Sequence, residues 1–140
     1  MRRESRELAM QILFHHEFEN DPSSTQFAVD HFLALYEKKF NTETLNYAQN
    51  IFEGIQKNRA QVDDLIHSCS AHWKMNRMSS VDRNILRVAT FELKFSTGEV
   101  QPQVAINEAI EIAKKYSTAE SSAFINGVLD QVAKKEATKR

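Results

Sequence analysis

Glycine and proline are scarce in this chain, at 3 and 2 in 140 residues. Average usage would supply roughly 17 of the two together. Sheets depend on them for tight turns, so the shortage argues against a sandwich, a barrel or a doubly wound sheet. It leaves an all-α chain as the economical reading. It also leaves no material for a phosphate-cradling loop. No Walker loop, dinucleotide fingerprint or nucleophile elbow is present. The single Cys69 excludes an internal disulfide and a cysteine-based zinc site, and fits a reducing, cytoplasmic compartment. No window approaches the roughly 18 uncharged apolar residues of a membrane span. Arg2 and Arg3 are followed by Glu4 and Glu7 rather than an apolar run, so no signal peptide is expected.

What is present is a hydrophobic content of 41% with 26% charged residues, enough for one core in one domain over residues 1–140. Net charge is only −1, but the charges are separated. Five acids lie between Glu17 and Glu37 with no Lys or Arg among them. Arg2, Arg3 and Arg6 crowd the start, and four bases lie between Lys134 and Arg140. Such separation allows a local basic patch at near-zero net charge, although ordinary solvated faces and a basic tail also produce it.

Helical spacing recurs along the chain. A first helix is expected from about Ser5 to Glu19 and a second from Ser24 to Lys39. A third, capped by Asn41, carries Leu45, Ala48, Ile51, Phe52 and Ile55. Asn58–Gln61 resembles a capping box opening a fourth with Val62, Leu65, Ile66 and Cys69. The stretch from His72 to Met78 has no period and is expected to connect. Ser79 to Asp82 has the serine-to-acid capping spacing. It opens a helix apolar on several faces, expected to be central and to stop at Gly98. Pro102 precedes an amphipathic helix with Ile106, Ala109, Ile110 and Ala113. Ser117–Glu120 reads as another capping box, before a helix with Phe124, Ile125, Val128, Leu129 and Val132. Gly127 inside that helix costs about 1 kcal/mol against Ala, and a close helix–helix contact would be a reason to accept that cost.

Catalytic chemistry is not expected. His15 and His16 are adjacent and point about 100° apart on a helix, and His67 and His72 have no carboxylates at ligand spacing. Asp63-Asp64 and Glu108 with Glu111 fit solvated helix faces. Cys69, at an apolar position, fits a buried inert thiol. No metal and no cofactor are expected.

Two segments are more distinctive. One is Val81-Asp82-Arg83-Asn84-Ile85-Leu86-Arg87-Val88-Ala89-Thr90-Phe91-Glu92-Leu93. The other runs from Pro102 through Ala105-Ile106-Asn107-Glu108-Ala109-Ile110 to Tyr116, followed by Phe124-Ile125-Asn126-Gly127-Val128-Leu129-Asp130. With the opening Arg6-Glu7-Leu8-Ala9-Met10-Gln11-Ile12-Leu13-Phe14, they closely resemble the bacterial NusB family of transcription antitermination factors. The likeness covers essentially the whole chain and is weakest between about Asn20 and Met78, where only the helical pattern agrees.

The resemblance implies about seven helices in two small bundles sharing one core, without catalysis. It implies binding of boxA-type single-stranded RNA together with NusE, a small-subunit ribosomal protein, within the RNA polymerase antitermination complex. That complex supports processive transcription of ribosomal RNA operons. RNA contacts would then fall to Arg2, Arg3, Arg6, Gln11, Phe14, Lys114, Glu120, Ser121 and Phe124, with Lys115 beside them. The rings of Phe14 and Phe124 serve core packing equally well, and Lys114 and Lys115 suit a helix C-terminus in any case. Glu120 would share the start of the last helix with an RNA phosphate. NusE contacts would fall to Arg77, Asp82, Arg87 and Glu92, with Asp82 exposed at a helix start and Glu92 a surface acid. Three residues depart from the family pattern: Glu4 for a base, Phe14 for a Tyr and Ser117 for a Gly.

Two other readings compete. One is a helical protein–protein adaptor with little RNA contact. The other is the related helical domain fused to RNA cytosine methyltransferases, for which no cofactor-binding domain follows in these 140 residues. Apolar helix faces serve a monomer or a homodimer alike.

Overall fold

In this computed structural model residues 2–18, 40–70 and 78–139 are described. They form six helices and no strand: α1 (Arg2–Phe18), α2 (Thr42–Lys57), α3 (Arg59–Cys69), α4 (Ser80–Phe95), α5 (Pro102–Tyr116) and α6 (Ala119–Ala137). The helix expected from Ser24 to Lys39, the connection from His72 to Arg77 and the acidic stretch after Phe18 lie outside the described residues.

Local chemistry sets the helix ends. The Asn41 side chain accepts the Thr44 N–H at 2.8 Å, and Ser79 accepts that of Asp82 at 3.1 Å. Pro102 opens α5, where its missing N–H costs nothing. Gly98 adopts φ 91°, which ends the turn after α4 in a conformation other residues resist.

Three expectations need correction. Asn58 makes no capping bond to α3; its amide turns back and donates to the Gly54 carbonyl at 2.8 Å, closing α2 instead. The cap of α6 is Thr118, whose hydroxyl accepts the Ser121 N–H at 3.0 Å, and the Ser117 hydroxyl goes elsewhere. α1 begins three residues earlier than expected, so its arginines lie within its first two turns.

α1 packs on α2, and α5 on α6; α4 lies between these pairs and α3 bridges α4 to α6. α4 is buried on several faces, as its pattern predicts. One hydrophobic cluster joins all six helices, with Leu8, Ile12, Phe52, Ile55, Ile66, Leu86, Ile125 and Leu129 fully enclosed. Cys69 is half-buried rather than enclosed.

Candidate nucleic-acid interface

The early start of α1 decides where its arginines go. Arg2 and Arg6, four residues apart, face Tyr47 of α2, at 4.6 and 5.9 Å from its ring centre. Arg3 faces α5 and grips Glu108 through both oxygens, at 2.9 and 2.6 Å. Arg6 is only 4% exposed and grips Glu92 of α4 at 2.7 and 3.0 Å, with Glu108 a further 3.5 Å away. The Tyr47 hydroxyl donates to the same Glu92 at 2.6 Å. Burial and this carboxylate push the Tyr47 phenol up to about 12. Hydrogen bonding from Arg3 outweighs burial and lowers the Glu108 carboxyl. For Arg6, burial opposes the charge, but the Glu92 bonds prevail and raise its pKa.

Two site expectations change here. Glu92 is 1% exposed, so it has no face to offer a partner; it is the buried counter-ion of Arg6. Arg6 in turn is committed to the interior rather than to phosphate. Removing one member of such a pair leaves an uncompensated buried charge, at a cost of about 3–5 kcal/mol. Both residues hold α1 to α4.

Farther along the α1–α5 seam, Glu7 accepts from the Lys115 ammonium and the Tyr116 hydroxyl, both at 2.8 Å. Gln11 donates to that hydroxyl at 3.3 Å. Burial, then the Glu7 bond, raises the Tyr116 phenol, and Glu7 raises the Lys115 ammonium. Phe14, one turn beyond Gln11, is half-buried, its ring edge-on to His15 at 5.9 Å. Lys114 is not in this seam; it is exposed and pairs with Glu111 on its own helix at 3.1 Å. Sequence reasoning gave no role to Glu7, Tyr116 or Tyr47. The four-residue spacing of Arg3, Glu7 and Gln11 was a signal for the first; Tyr47 finds Glu92 across 45 positions and carries no local signal.

At the end of α5 the chain turns to a groove of about 270 Å³ between the N-termini of α4 and α6. Met78, Asp82, Thr118, Glu120, Ser121 and Phe124 line it, with the cap residue Ser79. The structure thus gathers one expected partner contact, Asp82, with three expected RNA contacts. Asp82 is 8% exposed, not the open surface acid expected, because the Ser117 hydroxyl donates to it at 2.7 Å and α6 closes over it. Two capped helix N-termini meet here, and their positive ends favour anions.

Arg87 lies away from both features. It is 6% exposed and grips Asp63 of α3 at 2.8 and 3.0 Å, so it too serves the interior. Beside it Glu17 accepts from Ser80 at 2.5 Å, Asn84 at 3.0 Å and Arg83 at 2.9 Å. Burial opposes ionisation there, and these bonds outweigh it and lower the Glu17 carboxyl. Arg77 lies outside the described residues.

The described residues form an all-helical domain in which cations, rings and capped helix ends share one seam and groove. The family model described as "NusB family" matches residues 3–134. The chain is 45% identical over 133 residues to a "Transcription antitermination protein NusB" of Bdellovibrio bacteriovorus, covering 95% of each. A NusB of Thermotoga maritima is 41% identical over 138 residues, 99% of this chain and 94% of the relative. A solved Thermotoga maritima NusB structure superposes with TM-score 0.85 at 40% identity, covering 99% and 94% of the two chains. A chain from a crystal structure of the antitermination factors NusB and NusE with double-stranded RNA shares the fold, with TM-score 0.82 at 22% identity over 96% of each. The chain belongs to the NusB family.

Proposed function

We propose that this protein is a non-catalytic, cytoplasmic antitermination factor that binds boxA-type single-stranded RNA together with NusE and supports transcription of ribosomal RNA operons. Its relatives are named transcription antitermination proteins, and a structure of the same fold holds NusE and double-stranded RNA. The observation that carries the reading is the groove in which Asp82 meets Glu120, Ser121 and Phe124. RNA would run from Arg2 and Arg3 past Gln11 and Phe14 to that groove, and NusE would meet the Asp82 side. Lys114 would touch RNA only at the edge of this path.

The internal pairing of Arg3, Arg6 and Lys115 favours a second reading, an adaptor with little RNA contact of its own. RNA titrations of the protein alone and with NusE, across a salt series, separate the two. The lead reading expects weak binding alone, with about two to four phosphates neutralised at a slope of about −0.7 each. It expects much tighter binding with NusE. Asp82→Lys should weaken NusE binding, least at high salt, with the helical content intact. Equal RNA affinity with and without NusE would count against a shared site.

A further inference from the structure

A second concavity has no part in the seam or the groove. It lies at the N-terminal ends of α1 and α2, encloses about 530 Å³, and is walled by Arg2, Thr42, Glu43, Asn46, Tyr47 and Asn50. Its floor is fixed where the buried Ser5 hydroxyl donates to the Thr44 carbonyl at 2.9 Å.

Tyr47 is a rigid platform. Its hydroxyl is tied to Glu92, which also takes both Arg6 bonds and is itself out of solvent, so the ring cannot swing without breaking a buried carboxylate's bonds. Arg2 lies over this ring at 4.6 Å and is exposed, so the stacked pair presents a planar cation to the cavity. Asn46 and Asn50, one helical turn apart, are both exposed on the adjoining wall. Each amide offers donors and an acceptor. The charged lining is one cation, Arg2, and one anion, Glu43. A site balanced in this way does not select a phosphate. It fits a flat, uncharged group with donors and acceptors along its edge.

Unstacked bases of single-stranded RNA are held in this manner, on aromatic or guanidinium planes with polar side chains on their edges. We propose that this cavity takes one base of the RNA, stacked on the Arg2–Tyr47 pair and read by Asn46 and Asn50. The proposal rests on the RNA-binding reading above and extends the RNA path beyond the α1–α5 seam.

The test uses the full chain with NusE and a labelled boxA-type single-stranded RNA across a salt series. The Asn46→Ala/Asn50→Ala double variant should bind about three- to tenfold more weakly, the loss expected for hydrogen bonds of ordinary worth. Its salt slope should not change, because no charge is removed. Arg2→Lys should lose a similar factor at unchanged slope, since lysine keeps the charge but has no plane. One abasic position along the RNA should cost the wild type more than the double substitution does, because stacking and edge contacts go together, and should cost the double variant only the stacking share. Wild-type affinity in the double variant would overturn the proposal. So would an Arg2→Lys protein that binds normally while Arg2→Ala flattens the salt slope by about 0.7, which would make Arg2 a phosphate contact. If the wild type itself fails to bind the RNA, the RNA-binding reading falls and this site falls with it.

Discussion

Gly54 and Gly127 both sit inside helices, yet they answer different demands. A Cβ on Gly54 would stand 2.3 Å from the Phe91 ring, which itself packs on Phe95 at 5.3 Å. A Cβ on Gly127 meets nothing within 4 Å. Gly54 lets α2 lie against α4, whereas no close contact at Gly127 offsets its cost in helix propensity. Gly127→Ala should therefore stabilise the protein by about 1 kcal/mol through helix propensity alone. Gly54→Ala gains the same propensity but meets an overpacking cost of about 1–3 kcal/mol, so its melting temperature should fall. Thermal melts of the two variants should move in opposite directions; a rise for both would mean that Phe91 swings aside freely. Local spacing does not single out Gly54, for a physical reason. A glycine's role depends on what faces it from another helix, and Phe91 lies 37 residues from Gly54, beyond any local spacing rule.

Between elements, the helices are tied by ion pairs whose titration is predictable. Glu17 joins α1 to α4, and Glu108 joins α5 to α1. Both carboxyls are lowered from their ordinary value of 4.5. A lowered folded-state pKa gives stability that is present above the ordinary value and lost as pH falls through the folded one. Unfolding in acid should therefore begin below about pH 4.5. Tyr47 works in the opposite sense. Its pKa is raised from 10.0 to about 12, so its contribution is complete below pH 10 and is lost as pH rises toward 12. Urea titrations at a series of pH values should show a plateau with losses on both sides. Tyr47→Phe should reduce the alkaline loss and leave the acid limb unchanged; an identical alkaline limb would mean that Tyr47 is not its source. The helices holding these pairs were legible from apolar spacing, and the Asn41 and Ser79 caps from residue type. The ends at Asn58 and Ser117 were misread because both residues have short polar side chains with two available partners. Asn58 serves the helix before it, and Ser117 serves Asp82 on another helix.

For the whole molecule, family motifs carried most of what could be read, and burial supplied what they could not. Arg6, Arg87 and Glu92 look like surface charges in a sequence because charged residues usually are. They are interior residues because each finds a counter-charge on another helix. Asp82 and Glu120 stand 38 residues apart, and only the folded chain puts them in one groove. That groove permits a test at Glu120. Thr118, not Glu120, makes the capping bond of α6, so Glu120→Gln leaves the cap intact and removes only a charge near the positive helix end. Stability should fall by about 0.3–1 kcal/mol through the lost dipole interaction. If RNA phosphate approaches the same helix end, the wild-type carboxylate repels it, and the glutamine protein should bind boxA-type RNA more tightly. The gain should be largest at low salt, where repulsion is least screened, and should shrink as the Debye length falls toward about 8 Å at physiological ionic strength. An exposed acid remote from RNA would change stability and leave affinity alone. Titration at two salt concentrations separates the cases. Unchanged or weaker binding at both would place the RNA path away from the start of α6.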